Sequence, residues 1–494
     1  MALRLFNTLS GKVEEFAPLH DQRVHMYACG LTVYDYGHIG NFRTFVAVDI
    51  LRRFLRQSGY KLRHVMNITD VDDKIIRNAA QAGLSVRDYT RKYEQAFLED
   101  IETLDIEQPE LVRATENIPQ MASFISQLER KGFAYRTEDG SYYFRIAKFP
   151  AYGKLSKKDF SGMEAGARVD VDEYDKDNAR DFALWKSPKP GEAFWETEIG
   201  PGRPGWHIEC SVMSMNALGE TFDIHAGGED LVFPHHENEI AQSEALTRKQ
   251  FVRYWFHVRF LLVEGEKMSK SLGNFFTLRD LVLKGHKPSS IRFLLASAHY
   301  RTQLNFTFEA LKQAATSVER LRNFELRLKT GQPKQDPAGE IGKLAQETVE
   351  RMRAGLDDDL NTPQALAAIF ELVRQANAAA DAGQLTRGDV PLLLQALQKF
   401  DAIFDVLRDE DAPKMKRILD WAKAEGQTQR ASRELQEFAA SDGLSEAQIN
   451  AKVFEHEQAR KARDFARSDA IRAELAAAGI IVENTKEGVR WRKK

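Results

Sequence analysis

The fold is decided by Val24-His25-Met26-Tyr27-Ala28-Cys29, a run that predicts a buried strand ending at Gly30. The turn that follows contains Gly37-His38-Ile39-Gly40-Asn41, whose glycines let the backbone come close to a ligand. Thr44–Gln57 then carries apolar residues at helical spacing, and Lys61–Ile68 predicts the next strand. Strand, turn, helix and strand in this order predict a parallel, Rossmann-like α/β sheet.

Composition places the chain among globular proteins. Of its 494 residues, 43% are hydrophobic and 29% are charged. No apolar run approaches the roughly 20 residues that cross a bilayer, and the first residues lack the apolar core of a secretory signal. We therefore expect a cytoplasmic protein with no membrane partner.

After the strand–turn–helix–strand unit, the sequence pattern changes at several points. Residues 132–190 include a polar stretch without a clear period, Lys157–Asp177, which predicts an insertion rather than more of the sheet. Beyond Leu278 the pattern is nearly all helical, with a linker predicted at Thr330–Gly339. The end of the chain predicts a small hairpin around Glu487-Gly488.

The C-terminal segment 413–494 is basic, although the whole chain has a net charge of only −3. It holds 17 Lys and Arg against 13 Asp and Glu and ends with Arg490-Trp491-Arg492-Lys493-Lys494. A basic end with an aromatic ring can bind phosphates and stack on a base. A solvated helical surface with a frayed end explains the same charges.

A second short string, Lys267-Met268-Ser269-Lys270-Ser271, lies far from the first. Joining a carboxylate to ATP builds negative charge on phosphate oxygens. His38 could meet that charge with a hydrogen bond at a helix start, and Lys267 and Lys270 could meet it with positive charge. Each string alone is weak evidence, but in this order and separation the two resemble the ATP-binding signatures of class I aminoacyl-tRNA synthetases.

The chain contains only two cysteines, Cys29 and Cys210. A disulfide is not expected in a cytoplasmic chain, so each cysteine is either a small buried hydrophobic residue or a metal ligand. His235 and Glu239 stand four residues apart, which on a helix puts them on one face. Such a pair is more often a feature of a helix surface, but with the two thiolates it makes a feasible tetrahedral zinc site.

Several unusual strings resemble the cysteinyl-tRNA synthetase family, in sequence and in order. They are Tyr27–Asp35, Asn67–Ile76, Asp181–Lys186, Pro204–Cys210, Phe233–Glu239 and Gly488–Trp491. Because these strings are spread along the whole sequence and agree independently, the resemblance is specific and covers nearly all of the chain.

The resemblance implies one zinc ion per chain, bound by Cys29, Cys210, His235 and Glu239, with the thiolate of the substrate as a further ligand. Zinc accepts soft sulfur and lowers the pKa of a thiol, whereas the hydroxyl of serine offers neither property. An apolar pocket separates near-isosteres by only about 1–3 kcal/mol, and synthetases in that position add an editing site. We therefore expect no editing domain.

The resemblance also implies the remaining site residues. The amino-acid pocket would be lined by Thr32, Thr69 and Trp206, although ordinary core packing also explains a tryptophan. Asp230 would contact the substrate ammonium or the ribose. The class often has histidine where Asn41 stands, but an asparagine can still donate a hydrogen bond. The implied ATP-binding set is His38, Gly40, Gly228, Asp230 and Lys270. The implied catalytic set is His38, Asn41, Lys267 and Lys270.

The implied reaction joins L-cysteine to ATP, bound with Mg²⁺, as cysteinyl-adenylate and then transfers the cysteinyl group to tRNA(Cys). One alternative is a ligase of mycothiol synthesis, which joins cysteine to an amino-sugar with the same catalytic half. Another is a paralogue that binds zinc or tRNA without catalysis. The long helical C-terminal part argues against the first alternative, and the intact second string argues against the second.

The expected division of the chain follows from the same resemblance, and we expect a monomer. A Rossmann-like catalytic domain spans 1–131 and 191–265 and is interrupted by a connective insertion at 132–190. The second signature loop and the helices that contact the tRNA stem span 266–330. A helical bundle spans 340–408, and a small tRNA (anticodon) binding domain spans 413–494.

Overall fold

The structure is a computed structural model that describes residues 2–158, 168–169, 181–331, 333–433, 435–436, 446–485 and 488–493. Most of the polar stretch Lys157–Asp177 and the turn residue Glu487 lie outside the described residues. The strands are β1 (Arg4–Asn7), β2 (Lys12–Glu15), β3 (Arg23–Ala28), β4 (Lys61–Ile68), β5 (Glu110–Arg113), β6 (Ala134–Arg136), β7 (Tyr142–Phe144), β8 (Arg168–Val169), β9 (Asp181–Lys186), β10 (Arg203–Pro204), β11 (Phe222–Gly228), β12 (Val252–Val258), β13 (Leu261–Val263), β14 (Glu266–Lys267), β15 (Leu304–Phe306), β16 (Ile480–Thr485) and β17 (Gly488–Lys493). The α-helices are α1 (Ile39–Gln57), α2 (Asp73–Ala82), α3 (Val86–Thr103), α4 (Ile118–Arg130), α5 (Trp206–Leu218), α6 (Glu237–Thr247), α7 (Leu278–Leu283), α8 (Pro288–Ser297), α9 (Phe308–Thr330), α10 (Glu340–Asp357), α11 (Thr362–Asp381), α12 (Asp389–Phe404), α13 (Asp411–Ala424), α14 (Glu446–Lys461) and α15 (Phe465–Ala477).

The centre of the molecule is a parallel five-stranded sheet in the order β12-β11-β3-β4-β5. Strand β3 is apolar on both faces because the sheet has helices on both sides. Val24 and Met26 pack with α1 on one face, whereas Tyr27 and the following Cys29 pack with α5 and α6 on the other. The predicted Rossmann-like sheet is confirmed, and all five strands run toward the same edge.

The helix after the first signature begins earlier than predicted, at Ile39 instead of Thr44. The reason is a capping box: the backbone N–H of Asn41 donates to His38 Nδ1 at 3.3 Å, and Asn41 Oδ1 accepts from the His38 N–H at 3.0 Å. Periodicity missed this turn because Gly40 and Asn41 are poor helix formers. The signature is therefore the N-terminus of α1, and His38 is its N-cap.

A second sheet stands apart from the first, between β5 and α5 in the chain. It joins β10, β9, β7 and β6 in antiparallel order, with β8 beside β9. Strand β7 ends at Phe144, and a 3-10 turn begins after Arg145. The sequence in this region thus forms its own small sheet instead of extending the parallel one.

The second half of the chain is mainly helical, as predicted, with one exception. Helix α10 packs on α11 and α12, while the short strand β15 pairs in parallel with β13, which the helical pattern did not predict. The predicted C-terminal hairpin is confirmed as β16 and β17, antiparallel from Ile480 opposite Lys493. It packs with α14 and α15 around a separate small core that contains Ile449 and Leu475.

The predicted fold class is therefore confirmed: a parallel α/β part with an insertion, then helices, then a small α/β unit. None of the described helices is long and apolar enough to cross a membrane.

Candidate active site

Four buried side chains meet beside the parallel sheet, and they are the four predicted metal ligands. Cys29 follows β3, and Cys210 lies in α5. His235 lies in a π-helical turn just before α6, and Glu239 lies in that helix. None of the four is more than 7% exposed, and their ligand atoms all lie within 4.8 Å of one another. The structure therefore brings together residues separated by up to 210 positions in the sequence.

The types and spacing of the four donor atoms suit a shared tetrahedral cation better than they suit direct hydrogen bonds among the four side chains. The two Sγ atoms are 3.9 Å apart. His235 Nε2 lies 3.1 Å from Glu239 Oε1, yet among the described residues this oxygen has no hydrogen-bond partner. Two sulfurs, one imidazole nitrogen and one carboxylate oxygen are a donor set that suits zinc.

A second set, Cys29, His225, His236 and Glu239, is equally compact. It shares Cys29 and Glu239 with the first set and differs in its two histidines. His225 Nε2 lies 2.9 Å from Glu239 Oε2, and His236 Nδ1 lies 2.7 Å from His257 Nε2. These contacts fix ligand orientation in the way that partners behind a metal site do. We therefore favour the set with both cysteines.

The electrostatics of the four side chains also favour a cation. Burial raises the pKa of Cys29 well above its usual range. For Cys210 burial acts in the same direction, but the hydrogen bond with Cys29 and the charge of His235 outweigh it and lower the pKa to about 6. Burial is likewise outweighed at Glu239, where His225 and His235 lower the pKa to about 2. Against the effect of burial, Glu239 and Cys210 in turn raise the pKa of His235 to about 10. A thiolate and a carboxylate thus face the protonated ring of His235, and a metal cation would replace that proton.

Sequence reasoning missed the layer of histidines behind this cluster. His207 Nδ1 lies 3.0 Å from His235 Nδ1, and His257 Nδ1 lies 2.8 Å from Thr8 Oγ1. His225 and His257 belong to β11 and β12. The available signal was a histidine inside an otherwise apolar strand, since a buried polar group needs a partner.

The residues predicted to line the amino-acid pocket lie beside Cys29, Cys210, His235 and Glu239, which we call the metal-ligand cluster. Thr32 and Thr69 face each other in a β-bridge. Trp206 is half-buried at the start of α5, and its ring lies over His235 with centroids 4.3 Å apart. This placement favours the pocket over core packing for Trp206. The hydroxyl of Thr69 donates to Glu209 Oε2 at 3.0 Å, a buried carboxylate that sequence reasoning did not single out.

The first signature lies close to Asp230 and to Lys270 of the second signature. Burial, together with the charge of Lys270, lowers the pKa of His38 to about 4 against the opposing effect of Asp230. A Cβ on Gly40 would lie 2.9 Å from the His38 ring, and one on Gly228 would lie 2.4 Å from Asp230 Oδ1. A side chain at either position would have to displace a neighbouring side chain, the His38 ring at Gly40 and the Asp230 carboxylate at Gly228. Asn41 Oδ1 is used by the cap of α1.

In the fold, the second signature, Lys267–Ser271, lies next to the first, Gly37–Asn41. Lys267 ends β14 and is exposed, whereas Lys270 Nζ donates to Asp35 Oδ2 at 2.8 Å. The Phe275 ring lies between the signatures, 5.3 Å from the His38 ring and 5.1 Å from Lys270 Nζ. The structure thus places Lys270 beside His38, while Asp35 is a further partner that the sequence analysis did not name.

Comparisons with known proteins agree with this geometry. Residues 15–316 match the tRNA synthetases class I (C) catalytic domain, residues 351–408 match a DALR domain, and residues 446–492 match the cysteinyl-tRNA ligase anticodon binding domain. A cysteine--tRNA ligase of Koribacter versatilis is 68% identical over 495 residues, and one of Solibacter usitatus is 55% identical over 498, each match covering 100% of both chains.

Among solved structures, Mycobacterium tuberculosis methionyl-tRNA synthetase in complex with methionyl-adenylate is similar with a TM-score of 0.57. The match covers 85% of this chain and 96% of that one at 14% identity. At so low an identity the likeness shows the fold alone.

Proposed function

The chain belongs to the cysteinyl-tRNA synthetase family, the cysteine--tRNA ligases among the class I aminoacyl-tRNA synthetases, and we propose that it activates L-cysteine with Mg²⁺-bound ATP and transfers it to tRNA(Cys). In the first step the carboxylate of cysteine attacks the α-phosphorus of ATP, giving cysteinyl-adenylate and pyrophosphate. In the second step the terminal ribose hydroxyl of the tRNA attacks the carbonyl carbon of the adenylate, which forms the cysteinyl ester and releases AMP. Both steps depend on positioning and charge stabilisation, and neither needs a protein nucleophile.

The observation that carries the proposal is the buried cluster of Cys29, Cys210, His235 and Glu239. These side chains would hold one Zn²⁺, and the fit rests on the donor types and on Glu239 Oε1, which has no hydrogen-bond partner among the described residues. When bound there, zinc would supply a Lewis acid that ligates sulfur and favours the thiolate form of a thiol. The histidines behind the cluster hold the ligands in orientation.

The same cluster explains why no editing domain is proposed. Serine differs from cysteine by one atom, and apolar contacts separate such near-isosteres by only about 1–3 kcal/mol. A site that presents soft-metal ligands discriminates by bond type and does not depend on size. Trp206 and the facing pair Thr32 and Thr69 would close the pocket around the rest of the amino acid.

The ATP-binding and catalytic roles are assigned by position. His38 keeps Nδ1 as the acceptor for the Asn41 N–H, so its proton is on Nε2 and can be donated to a phosphate oxygen. Gly40 and Gly228 let the nucleotide approach, and Asp230 would receive the ribose or the substrate ammonium. Lys270, with Lys267 on the same loop, would neutralise charge on the departing pyrophosphate.

The C-terminal half favours tRNA over an amino-sugar as the acceptor. The match to an anticodon binding domain covers most of the small unit formed by α14, α15 and the hairpin. We propose the following division: catalytic residues 1–131 and 191–265, insertion 132–190, loop and stem-contact helices 266–330, helical bundle 340–408, and tRNA-binding unit 413–494. The chain would act as a monomer.

The proposal is tested by two assays on the purified chain. The first is ATP–pyrophosphate exchange with each amino acid, and the expected result is exchange that depends on cysteine and is not supported by serine. The second compares charging of tRNA(Cys) with ligation to glucosamine-type acceptors. Absence of exchange with any amino acid, or ligation to the amino-sugar instead of the tRNA, would overturn the proposal.

A further inference from the structure

A chain of hydrogen bonds connects the segments that carry the two cysteines. The Gly30 N–H donates to Asn67 Oδ1 at 2.9 Å, Asn67 Nδ2 donates to Thr69 Oγ1 at 3.2 Å, and Thr69 Oγ1 donates to Glu209 Oε2 at 3.0 Å. Asn67, Thr69 and Glu209 are each at most 3% exposed. The chain begins directly after Cys29 and ends directly before Cys210.

These hydrogen bonds determine where the proton and the lone pairs of the Thr69 hydroxyl point. A hydroxyl has one proton and two lone pairs. Gly30 sets the amide of Asn67 so that its NH₂ faces Thr69, which occupies one lone pair of the hydroxyl. The proton is held by Glu209, because a carboxylate can only accept. The remaining lone pair makes the hydroxyl an acceptor for any further partner.

Thr69 lies beside the segment that carries Cys29. It directly follows β4 and is paired in a β-bridge with Thr32, three residues after Cys29. A cysteine whose sulfur reaches the cluster would carry its ammonium group a few bonds away. An ammonium offers three donors and no acceptor, so it needs acceptors, and a hydroxyl that presents a lone pair is one.

We propose that Glu209 is a positioning residue that orients the Thr69 hydroxyl as an acceptor for the ammonium group of the substrate, and that its carboxylate adds an opposing charge. The proposal rests on the function proposed above and deepens it by assigning the recognition of the amino group. Inside a buried pocket the charge acts through a low local dielectric, so its effect on a nearby cation is strong. Thr69 makes the contact, and Glu209 acts through it.

The test compares cysteine with 3-mercaptopropionate, which is cysteine without its amino group. The KM for cysteine in ATP–pyrophosphate exchange and the competitive Ki for 3-mercaptopropionate are measured for wild type, Glu209→Gln, Thr69→Val and Thr69→Ser. We expect Glu209→Gln and Thr69→Val to raise the KM for cysteine about tenfold or more, the loss expected for a charge-assisted hydrogen bond. The Ki for the analogue should change by less than about twofold, because the lost contact is to a group it lacks.

Further readouts separate positioning from folding. Thr69→Ser, which keeps the hydroxyl, should raise the KM less than Thr69→Val, and the double variant Glu209→Gln/Thr69→Val should be less than additive because both changes remove one interaction. Glu237→Gln is the matched control, since that buried carboxylate accepts from the backbone N–H groups of Gly153 and Ser156 instead. It should leave the ratio of KM to Ki unchanged.

Equal weakening of both ligands by Glu209→Gln, no weakening of either, or loss of zinc from the variant would each overturn the proposal. If Glu209→Gln does not fold, Glu209→Asp, which draws the carboxylate back from Thr69, is measured with the same two ligands and should raise the KM for cysteine while leaving the Ki for 3-mercaptopropionate unchanged. Failure of the proposed function looks different, because the wild-type chain would then show no exchange with cysteine at all.

Discussion

The metal-ligand cluster and the loop that carries the second signature hold their functional side chains in opposite ways. The four side chains of the cluster are buried, committed to neighbours and drawn from three separate segments. On the loop, the side chain of Lys270 is 67% exposed, and its described ion pair is with Asp35, whose side chain is itself 39% exposed. The first arrangement is built before any substrate arrives, whereas the second can rearrange around ATP.

We propose that this difference reflects a division of labour between recognition and catalysis. A buried polar cluster is costly to disturb because an uncompensated group remains in the interior. An exposed ion pair contributes about 0–1 kcal/mol and can be exchanged for a ligand. Substitutions in the cluster should therefore abolish binding of metal and amino acid together, while substitutions on the loop should slow the reaction and leave recognition intact.

The largest effect is expected for Cys210→Ser. Loss of one thiolate should reduce the metal content from about one zinc per chain to a small fraction, because structural and substrate-binding zinc sites need their full ligand set. Elemental analysis of the purified variant measures this, and cysteine-dependent exchange should disappear with the metal. Ser214→Ala is the matched control on the same helix, since its hydroxyl bonds only to the carbonyl of Ser211 among the described contacts. Unchanged zinc in Cys210→Ser would contradict the ligand assignment.

Lys270→Ala should slow the chemistry without touching the cluster. Removing a positive charge aimed at the pyrophosphate is expected to lower kcat for exchange about 10²–10³-fold, with zinc content and the Ki for 3-mercaptopropionate unchanged. Lys284→Ala, which removes a lysine near Phe276, controls for loss of charge in the same region. A fall in zinc content, or a kcat close to wild type, would break the proposed separation between the two regions.

His38 lies between the two regions and provides a prediction about pH. Its folded pKa of about 4 is below the usual 6.5 because it is buried, so the unfolded chain binds this proton first as pH falls. The contribution of His38 to the free energy of unfolding should therefore be fully present above pH 6.5 and be lost progressively between about pH 6.5 and 4.

NMR titration of the His38 imidazole, assigned by comparison with a His38→Asn variant, measures that pKa directly. Urea unfolding of both chains across the same pH range measures the stability term, which the variant should lack. An imidazole that titrates near 6.5 in the folded chain would show that His38 is not held neutral at the start of α1.

The smallest effect is expected for Asp35→Asn. Since the ion pair with Lys270 is largely exposed, its loss should change kcat and the KM for ATP by no more than about threefold. Steady-state exchange kinetics at varied ATP measure both constants. A loss as large as that of Lys270→Ala would mean that the loop is built in advance, as the metal-ligand cluster is, and would remove the contrast.

The sequence predicted the elements that depend on local pattern. The run before Cys29 and the apolar spacing of Thr44–Gln57 gave the sheet and its first helix, because alternation and helical period are read from neighbouring residues. The start of that helix was misplaced, since it depends on a reciprocal contact between His38 and Asn41 that no periodicity reports. The metal-ligand candidates came from scarcity of cysteine, helical spacing and resemblance.

The sequence could not predict which distant segments lie close together in the fold. Thr69 and Glu209 are 140 positions apart, and Asp35 and Lys270 are 235 apart. Each pair is made only when the parallel strands bring their ends to one edge of the sheet. His225 and His257 were hidden for the same reason: each is an isolated histidine until β11 and β12 pair.

The central claim is that Cys29, Cys210, His235 and Glu239 form a zinc site at which the substrate thiol is recognised. Zinc K-edge X-ray absorption of the purified chain, recorded alone, with cysteine and with serine, counts the sulfur atoms around the metal. We predict about two sulfurs in the free enzyme, about three with cysteine at the usual zinc–sulfur distance of about 2.3 Å, and no change with serine. A spectrum with the same number of sulfurs in all three samples, or a chain that holds no zinc, would contradict the account.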